Sequence, residues 1–361
     1  MRRLLPGRRT AVIGVVVLAV LAGATWVYKP WWQPWWYART LCGGALSGGD
    51  LADLLPKERL RAGEDTFGSG DGTSVACEVD RPDGYHYVLR AEATTDGAEP
   101  DGPLDLEFTI PRDPQYLYSR EIPGFHGNLG PMIVQDCPAL GRDAEGRIRR
   151  LVTNVYSLAV ERKPEATPAR MAVQIANRAN DELGCGAARL PVPDRLEPAH
   201  RLSLRQARAT MCGGLARAAL PRSPSGKDWQ VLAPTGGRAP ISSCSLVDSG
   251  TGRTAATFTG WYGDWTDKPF ERLLGANVQI PDGHSVRDAL LGENFGRATA
   301  RCAGESANFL VNSYAPHGTG PVLPMSELRA LLGVFAKEEA GRRGCDGLEL
   351  PGRTVYPAQD R

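Results

Sequence analysis

Cys42-Gly43-Gly44, followed by a second cysteine in Cys77-Glu78-Val79-Asp80, recurs in the same chain as Cys212-Gly213-Gly214 followed by Cys244-Ser245-Leu246-Val247-Asp248. The closing text recurs as well: Gly184-Cys185 with Leu190-Pro191, then Gly344-Cys345 with Leu350-Pro351. Cys137 and Cys302 hold matching places between. The gaps are 35, 60 and 48 residues in the first set and 32, 58 and 43 in the second. Leu54-Leu55-Pro56 is echoed by Ala219-Leu220-Pro221, and Val152-Thr153-Asn154-Val155-Tyr156 by Leu310-Val311-Asn312-Ser313-Tyr314. A period this long points to a duplicated domain, because solenoid units run only about 20–50 residues. The reading gives a first module over 42–190, a linker over 191–201, a second module over 202–351 and a tail over 352–361. The linker text, Pro191-Val192-Pro193-Asp194-Arg195-Leu196-Glu197-Pro198, is proline-rich and semi-rigid.

Each copy reads as helix, strands, helix. Strands are expected at Val75 to Val79, Tyr85 to Ala91, Leu104 to Ile110, Met132 to Cys137 and Leu151 to Ala159. Their counterparts are Ser243 to Val247, Ala255 to Trp261, Ala276 to Ile280, Arg297 to Cys302 and Ala307 to Tyr314. Weak alternation around Tyr87 and Leu89 suggests that both faces are covered. A closing helix in the first copy is capped by Thr167 with Pro168 in its first turn, and carries Ala172, Ile175, Ala176, Ala179 and Leu183 as a stripe. In the second, Ser326 caps, and Leu328, Leu331, Leu332 and Phe335 form the stripe. Strands grouped between helices predict an α+β fold, with an antiparallel sheet and flanking helices in each module.

The N-terminus reads as a membrane anchor. Arg2, Arg3, Arg8 and Arg9 precede Thr10 to Tyr28, 19 residues without a charge. A helix of that length spans about 28 Å, close to the hydrocarbon thickness of a bilayer. The arginines make 1–9 a cytoplasmic stub, 10–28 the transmembrane helix, and everything beyond extracytoplasmic. Residues 29–41 form a juxtamembrane aromatic segment. Trp31, Trp32, Trp35, Trp36 and Tyr37 are expected at the headgroup layer, and Pro30 and Pro34 are expected to stop the helix. The competing reading is a cleaved signal peptide, for which Ala22-Gly23-Ala24 supplies small residues.

In an exported domain, Cys42, Cys77, Cys137, Cys185, Cys212, Cys244, Cys302 and Cys345 read as four disulfides. Of the connectivities that repeat in both copies, the expected one joins first to second and third to fourth. No close cysteine pair supports zinc, and no short motif supports a redox thiol.

A membrane anchor ahead of tandem modules that open with Cys-Gly-Gly and close with Gly-Cys resembles membrane-anchored cell-envelope proteins of actinobacteria. The opening cysteine helix with a second cysteine on the next strand is also similar to actinobacterial lipoproteins without assigned activity. This chain departs from the latter in lacking a lipidated cysteine. The resemblance covers residues 42 to 351. Its motifs are structural, so it implies a fold and a location and carries over no catalytic residue.

The 361 residues are 42% hydrophobic and 23% charged, with net charge +1. That composition excludes a disordered, collagenous or multi-span chain and gives no electrostatic basis for nucleic-acid binding. Asp248-Ser249-Gly250 has no partner triplet in the first copy and reads as a turn. Ser225-Gly226-Lys227 lacks the glycine that a phosphate loop needs. His86, His126, His200, His284 and His317 are not spaced as metal ligands, so no cofactor is expected. Trp261, Tyr262 and Trp265 in the second copy, with Tyr116, Tyr118 and Phe125 in the first, are candidate partner-binding aromatics, with packing at strand ends as the other reading. The expected function is non-catalytic binding or scaffolding at the cell envelope. The bilayer is one partner, and an envelope protein or a glycan the other. An envelope hydrolase with an unrecognised site is the alternative.

Overall fold

The computed structural model describes residues 8–65, 74–82, 87–95, 116–117, 121–126, 130–144, 146–157, 166–198, 200–233, 239–271, 279–280, 283, 285, 287–313 and 323–357. The expected strand at Leu104 to Ile110, most of that at Ala276 to Ile280, and Tyr118 lie outside the described residues.

The chain begins with α1 (Arg8–Val27), α2 (Lys29–Thr40) and α3 (Gly48–Leu54). Strands β1 (Arg61–Asp65), β2 (Ser74–Asp80), β3 (Tyr87–Thr95), β4 (Tyr116–Leu117), β5 (Gly124–His126), β6 (Pro131–Asp136) and β7 (Arg150–Ser157) follow, and α4 (Ala166–Glu182) closes the first half. The second half opens with β8 (Glu197–Pro198), β9 (Arg201–Ser203), α5 (Leu204–Ala207) and α6 (Gly213–Arg217). It continues with β10 (Trp229–Leu232), β11 (Ile241–Asp248), β12 (Thr254–Tyr262), β13 (Leu290–Gly292), β14 (Phe295–Cys302) and β15 (Glu305–Ser313). Helix α7 (Met325–Arg343) and strands β16 (Cys345–Glu349) and β17 (Val355–Tyr356) complete it.

The architecture is α+β. The first sheet has six antiparallel strands in the order β1-β2-β3-β7-β6-β5. The second is a nine-stranded mixed sheet whose central path, β10-β11-β12-β15-β14-β13, repeats that order. It is extended by β9 beside β10, by β17 in parallel beside β13, and by β16 beside β14. The long helix packs over the same central strands in each half: α4 on β3, β6 and β7, and α7 on β12, β14 and β15.

Period two then assigns the faces. In β7, Leu151 and Val155 join the core under α4, while Val152 points the other way. In β6, Ile133 faces the helix, and Met132 and Val134 face away. The second half follows suit: Phe258 and Phe309 pack under α7, and Trp261 and Leu310 point away. The outward sets form one shared core, in which Phe125, Met132, Val134 and Val152 meet Ile241, Trp261, Phe270 and Leu310. The two sheets therefore cover each other's second faces.

Both long helices stop at a glycine, as expected. Gly344 caps α7 in the left-handed region with φ 66°, and Gly184 has φ 64°. Their starts differ from expectation. Helix α4 begins at Ala166, so Thr167 is inside its first turn, and α7 is capped by Pro324 with Ser326 already helical. The tail is not wholly separate, because Val355 and Tyr356 pair with Leu291 and Gly292. The linker ends inside the second sheet, since Arg201 pairs with Leu232.

The first helix stops at Val27, ahead of Pro30 as expected, but the aromatic segment then forms a helix of its own. Pro30 lies in the first turn of α2 after a break at Tyr28, and Pro34 sits within it. One face of α2 buries Gln33, Pro34, Tyr37 and Ala38. Tyr37 is thus not at a headgroup layer: its hydroxyl donates to the Leu60 carbonyl at 2.7 Å inside the first core. Trp31, Trp32, Trp35 and Trp36 are exposed. Among the described residues no single helix is long and apolar enough to cross a membrane. The pair α1 and α2, bent by 78°, meets the requirement of length and composition together.

The cysteines pair as expected: Cys42–Cys77, Cys137–Cys185, Cys212–Cys244 and Cys302–Cys345. Four bridges with no free cysteine mark a chain that folds outside the reducing cytoplasm. Cys137–Cys185 closes a 48-residue loop and both ends are fully buried. Replacing the pair by alanines is expected to lower unfolding free energy by about 4 kcal/mol. Urea denaturation of the variant, with Cys42–Cys77 confirmed intact by mass spectrometry, checks this.

Candidate functional site

Where the sheets meet, the shared core gives way to a charged cleft of about 740 Å³. Its first-half wall is the turn carrying Arg142 and Arg147, and its floor and far wall come from β14, β15 and the chain after β12. Gly263 makes that placement possible. It leaves β12 at φ 112°, and a Cβ there would lie 2.8 Å from Arg150 Nη1. The 3-10 turn Asp264–Thr266 follows. Its end is stitched to β15: the Ser306 amide donates to Asp264 Oδ1 at 2.8 Å and the Ser306 hydroxyl to Asp267 Oδ2 at 3.0 Å.

Arg297 on β14 is almost completely buried yet charged. It donates to Asn308 Oδ1, whose amide donates to Thr266 Oγ1 at 3.0 Å. Its guanidinium also lies 5.3 Å from the Phe270 ring centre, a cation–π distance. Burial draws its pKa down to about 10, with the charges of Asp267, Glu271 and Asp288 opposing the fall. Asp267 moves the other way. Burial pushes its carboxyl above the ordinary range; the Ser306 bond opposes this, Asp264 adds to it, and Arg287 and Arg297 oppose it.

Arg150 joins the halves. From β7 it donates to Asp136 at 2.9 Å within its own sheet and to Glu305 at 2.5 Å in the other. Burial works against its charge, but Glu305 and Asp136 hold its pKa above the ordinary value. Glu305 lines the charged cleft and also a second cavity of about 530 Å³, where Gln135 and Leu190 face Tyr262 and Arg343.

The sequence-predicted aromatics lie elsewhere than on exposed loops. Trp261 is 0% exposed and Trp265 6%. Trp261 stacks edge-on with Phe125 across the junction at 5.8 Å, and its indole N–H donates to Thr259 at 3.0 Å. These rings hold the sheets together and are unavailable to an external partner, which corrects the binding reading of Trp261 and Trp265. Tyr262 points to the opposite face, under α7. Its hydroxyl donates to Glu339 at 2.6 Å, and burial with the Glu339 charge pushes it far above the ordinary phenol range. Asp248 shapes a turn, accepting from the amides of Ser225 at 3.1 Å and Gly250 at 2.9 Å. His126 is half-buried, and the loss of solvent around its ring lowers its pKa to about 4. His86, His284 and His317 lie outside the described residues.

The cleft residues Asp264, Asp267, Arg297 and Glu305, and Arg150 beside the second cavity, escaped the sequence reading. The available signal was Arg297 and Arg301 alternating through the apolar strand text of β14. Together the cleft presents guanidinium forks and carboxylates in fixed positions, suited to hydrogen-bonding a polar ligand on several sides. Among the described residues no group of three or more His, Cys, Asp or Glu side chains is placed to hold a metal ion. No protein-family model, no curated protein and no solved structure matches this chain.

Two outcomes follow. Arg150→Ala strands Glu305 and is expected to destabilise by about 3 kcal/mol, while Arg150→Met with Glu305→Leu recovers most of that loss, as buried pairs replaced by apolar residues do; urea titrations of the wild type and both variants measure it. The folded state holds the Asp267 proton more tightly than the unfolded chain. Its stabilising contribution is therefore full below the unfolded carboxyl value and is lost as pH rises through the raised folded value. Asp267→Asn is expected to gain on the wild type in unfolding free energy across that window.

Proposed function

We propose that this chain is a single-pass membrane protein whose extracytoplasmic part, two homologous disulfide-stapled modules, binds a partner at the cell envelope without transforming it. The observation that carries the reading is the cleft. Both modules build it, and its charged groups are held by neighbouring side chains and by the backbone, which is the preorganisation that binding rewards. The repeated strand order and the equivalent placement of the bridges support descent from one duplicated module. The exposed apolar side chains of α1 from Ile13 to Leu21, behind four arginines, support an anchor with the N-terminus in the cytoplasm. The resemblance to actinobacterial envelope proteins supports the same location.

The partner is an envelope protein or a glycan that offers both hydrogen-bond acceptors and donors. The arginines take its anionic or carbonyl oxygens, and Asp264 and Asp267 take its hydroxyl or amide hydrogens. One observation favours the hydrolase alternative: two neighbouring carboxylates, one with a raised pKa, stand in a cleft.

A photo-crosslinking residue at Arg301, on the cleft wall, tests the proposal in intact cells. It is expected to capture one recurrent envelope component, whereas the same residue at Lys337, on the exposed side of α7, does not. Equal capture at both positions would remove the cleft from the reading. Cleavage of the captured glycan by wild type, lost in Asp267→Asn, would replace binding by hydrolysis.

A further inference from the structure

Among the described residues, the outward face of α2 is a second exposed surface. Pairs of residues alternate along the helix. Trp31 and Trp32 are 62% and 41% exposed and Trp35 and Trp36 are 55% and 57% exposed, while Gln33, Pro34, Tyr37 and Ala38 are buried. The pairs four apart stack on one side of a helix. Trp32 and Trp36 meet edge to face at 6.4 Å, so the aromatic face is continuous.

The buried side is bolted to the first module. Gln33 donates to the Glu58 carbonyl at 2.5 Å and accepts from the Leu60 amide at 3.2 Å. Tyr37 and Lys29 both donate to the Leu60 carbonyl, at 2.7 and 3.2 Å. The elbow to α1 is fixed too: the Trp32 indole N–H donates at 3.2 Å to the carbonyl of Thr25, in the last turn of α1, where carbonyls lack helical partners. Lys57 lies 4.7 Å over the Trp31 ring, placing a cation at the rim of the aromatic face.

We infer that α2 lies in the plane of the outer membrane–water interface, its tryptophans among the lipid headgroups, and that it holds the first module against the bilayer in one orientation. The inference rests on the proposed reading of the uncharged run Thr10 to Tyr28 as the span, in which α1 crosses the bilayer without α2, and goes beyond it: the juxtamembrane segment is a docking helix and not a flexible stalk. The occupant is lipid for three reasons. The apolar surface of α1 is uncovered by the modules, so the medium that covers α1 is the one in which α2 begins one residue later. Tryptophan, with an apolar ring and one N–H donor, favours the headgroup layer. A helix with one apolar face lies about 5–10 Å into the headgroup and acyl boundary.

The test uses the full chain with Trp26→Phe, reconstituted in phosphatidylcholine–phosphatidylglycerol vesicles with or without lipids brominated near the headgroup. Flotation and tryptophan emission are read together. The expected result is co-flotation and a roughly twofold loss of emission. That loss disappears when Trp31, Trp32, Trp35 and Trp36 are all changed to phenylalanine, because Trp229, Trp261 and Trp265 are buried in protein. Gln33→Ala with Tyr37→Phe is expected to keep the quenching but broaden the protein layer seen by neutron reflectometry, as the module comes loose from the helix. Co-flotation without quenching overturns the inference and leaves the anchor standing. Failure to float overturns both. Emission shielded from brominated lipid and from aqueous acrylamide alike, with a concentration-dependent dimer, overturns it in favour of a second copy.

Discussion

The fold depends on burying the second face of each sheet. A helix layer covers one face, with α4 on the first sheet and α7 on the second. That leaves Met132, Val134 and Val152 on one side, and Ile241, Trp261 and Leu310 on the other, with apolar surface to remove from water. Each sheet supplies what the other lacks. Trp261 is the hub, in edge contact with Phe125 of the first half and, at 5.8 Å, with Phe270 of its own. Aromatic pairs in this geometry add about 0.5–1.5 kcal/mol beyond the area they bury. The junction also positions the polar groups, because Arg150 can reach Glu305 only when the sheets are seated.

The bridges act on the opposite layer. Cys42 and Cys212 tie the opening turns to β2 and β11, while Cys185 and Cys345 tie the chain after each long helix to β6 or β14, the former just past the strand end. Each helical layer is therefore held to its sheet at both ends, at equivalent places in the two halves. The halves diverge at the junction. Among the described residues, the Asp264 turn, the buried Arg297 and the added strands β16 and β17 belong to the second half. The charged cleft therefore draws unequally on two similar scaffolds.

What could be read from the sequence follows the range of the interaction. Cysteine spacing and the text around it repeat within one chain, so the bridges, the central strands and the stripes of the long helices were legible. The role of Trp261 was not. Gly260-Trp261-Tyr262-Gly263 has the composition of a loop, and one of the rings that cover Trp261 is Phe125, in the other half of the chain. No local pattern encodes that contact. The only hint was the weak alternation in the strands, which fits burial on both faces. Helix α2 misled for a different reason. Two prolines argue against a helix, but Pro30 sits where its missing N–H has no partner to lose, and the Gln33 and Tyr37 bonds to Leu60 outweigh the single bond that Pro34 removes.

The two surfaces lie at opposite edges of the first sheet. Helix α2 grips Leu60, the residue before β1, and β1 is one edge strand. The shared core draws on β5 and β6, at the other edge. Six strands at about 4.8 Å spacing put roughly 24 Å between those edges. On the anchored reading, the grip that fixes the first module to the bilayer leaves the junction and its cleft clear of the headgroups. A rigid tether at β1 then does more than retain the protein: it sets the distance and direction in which the cleft faces outward. For two membrane-bound partners such fixed presentation raises effective concentration only where the geometry matches. On the proposed binding reading, that placement suits a partner that is itself held at the envelope.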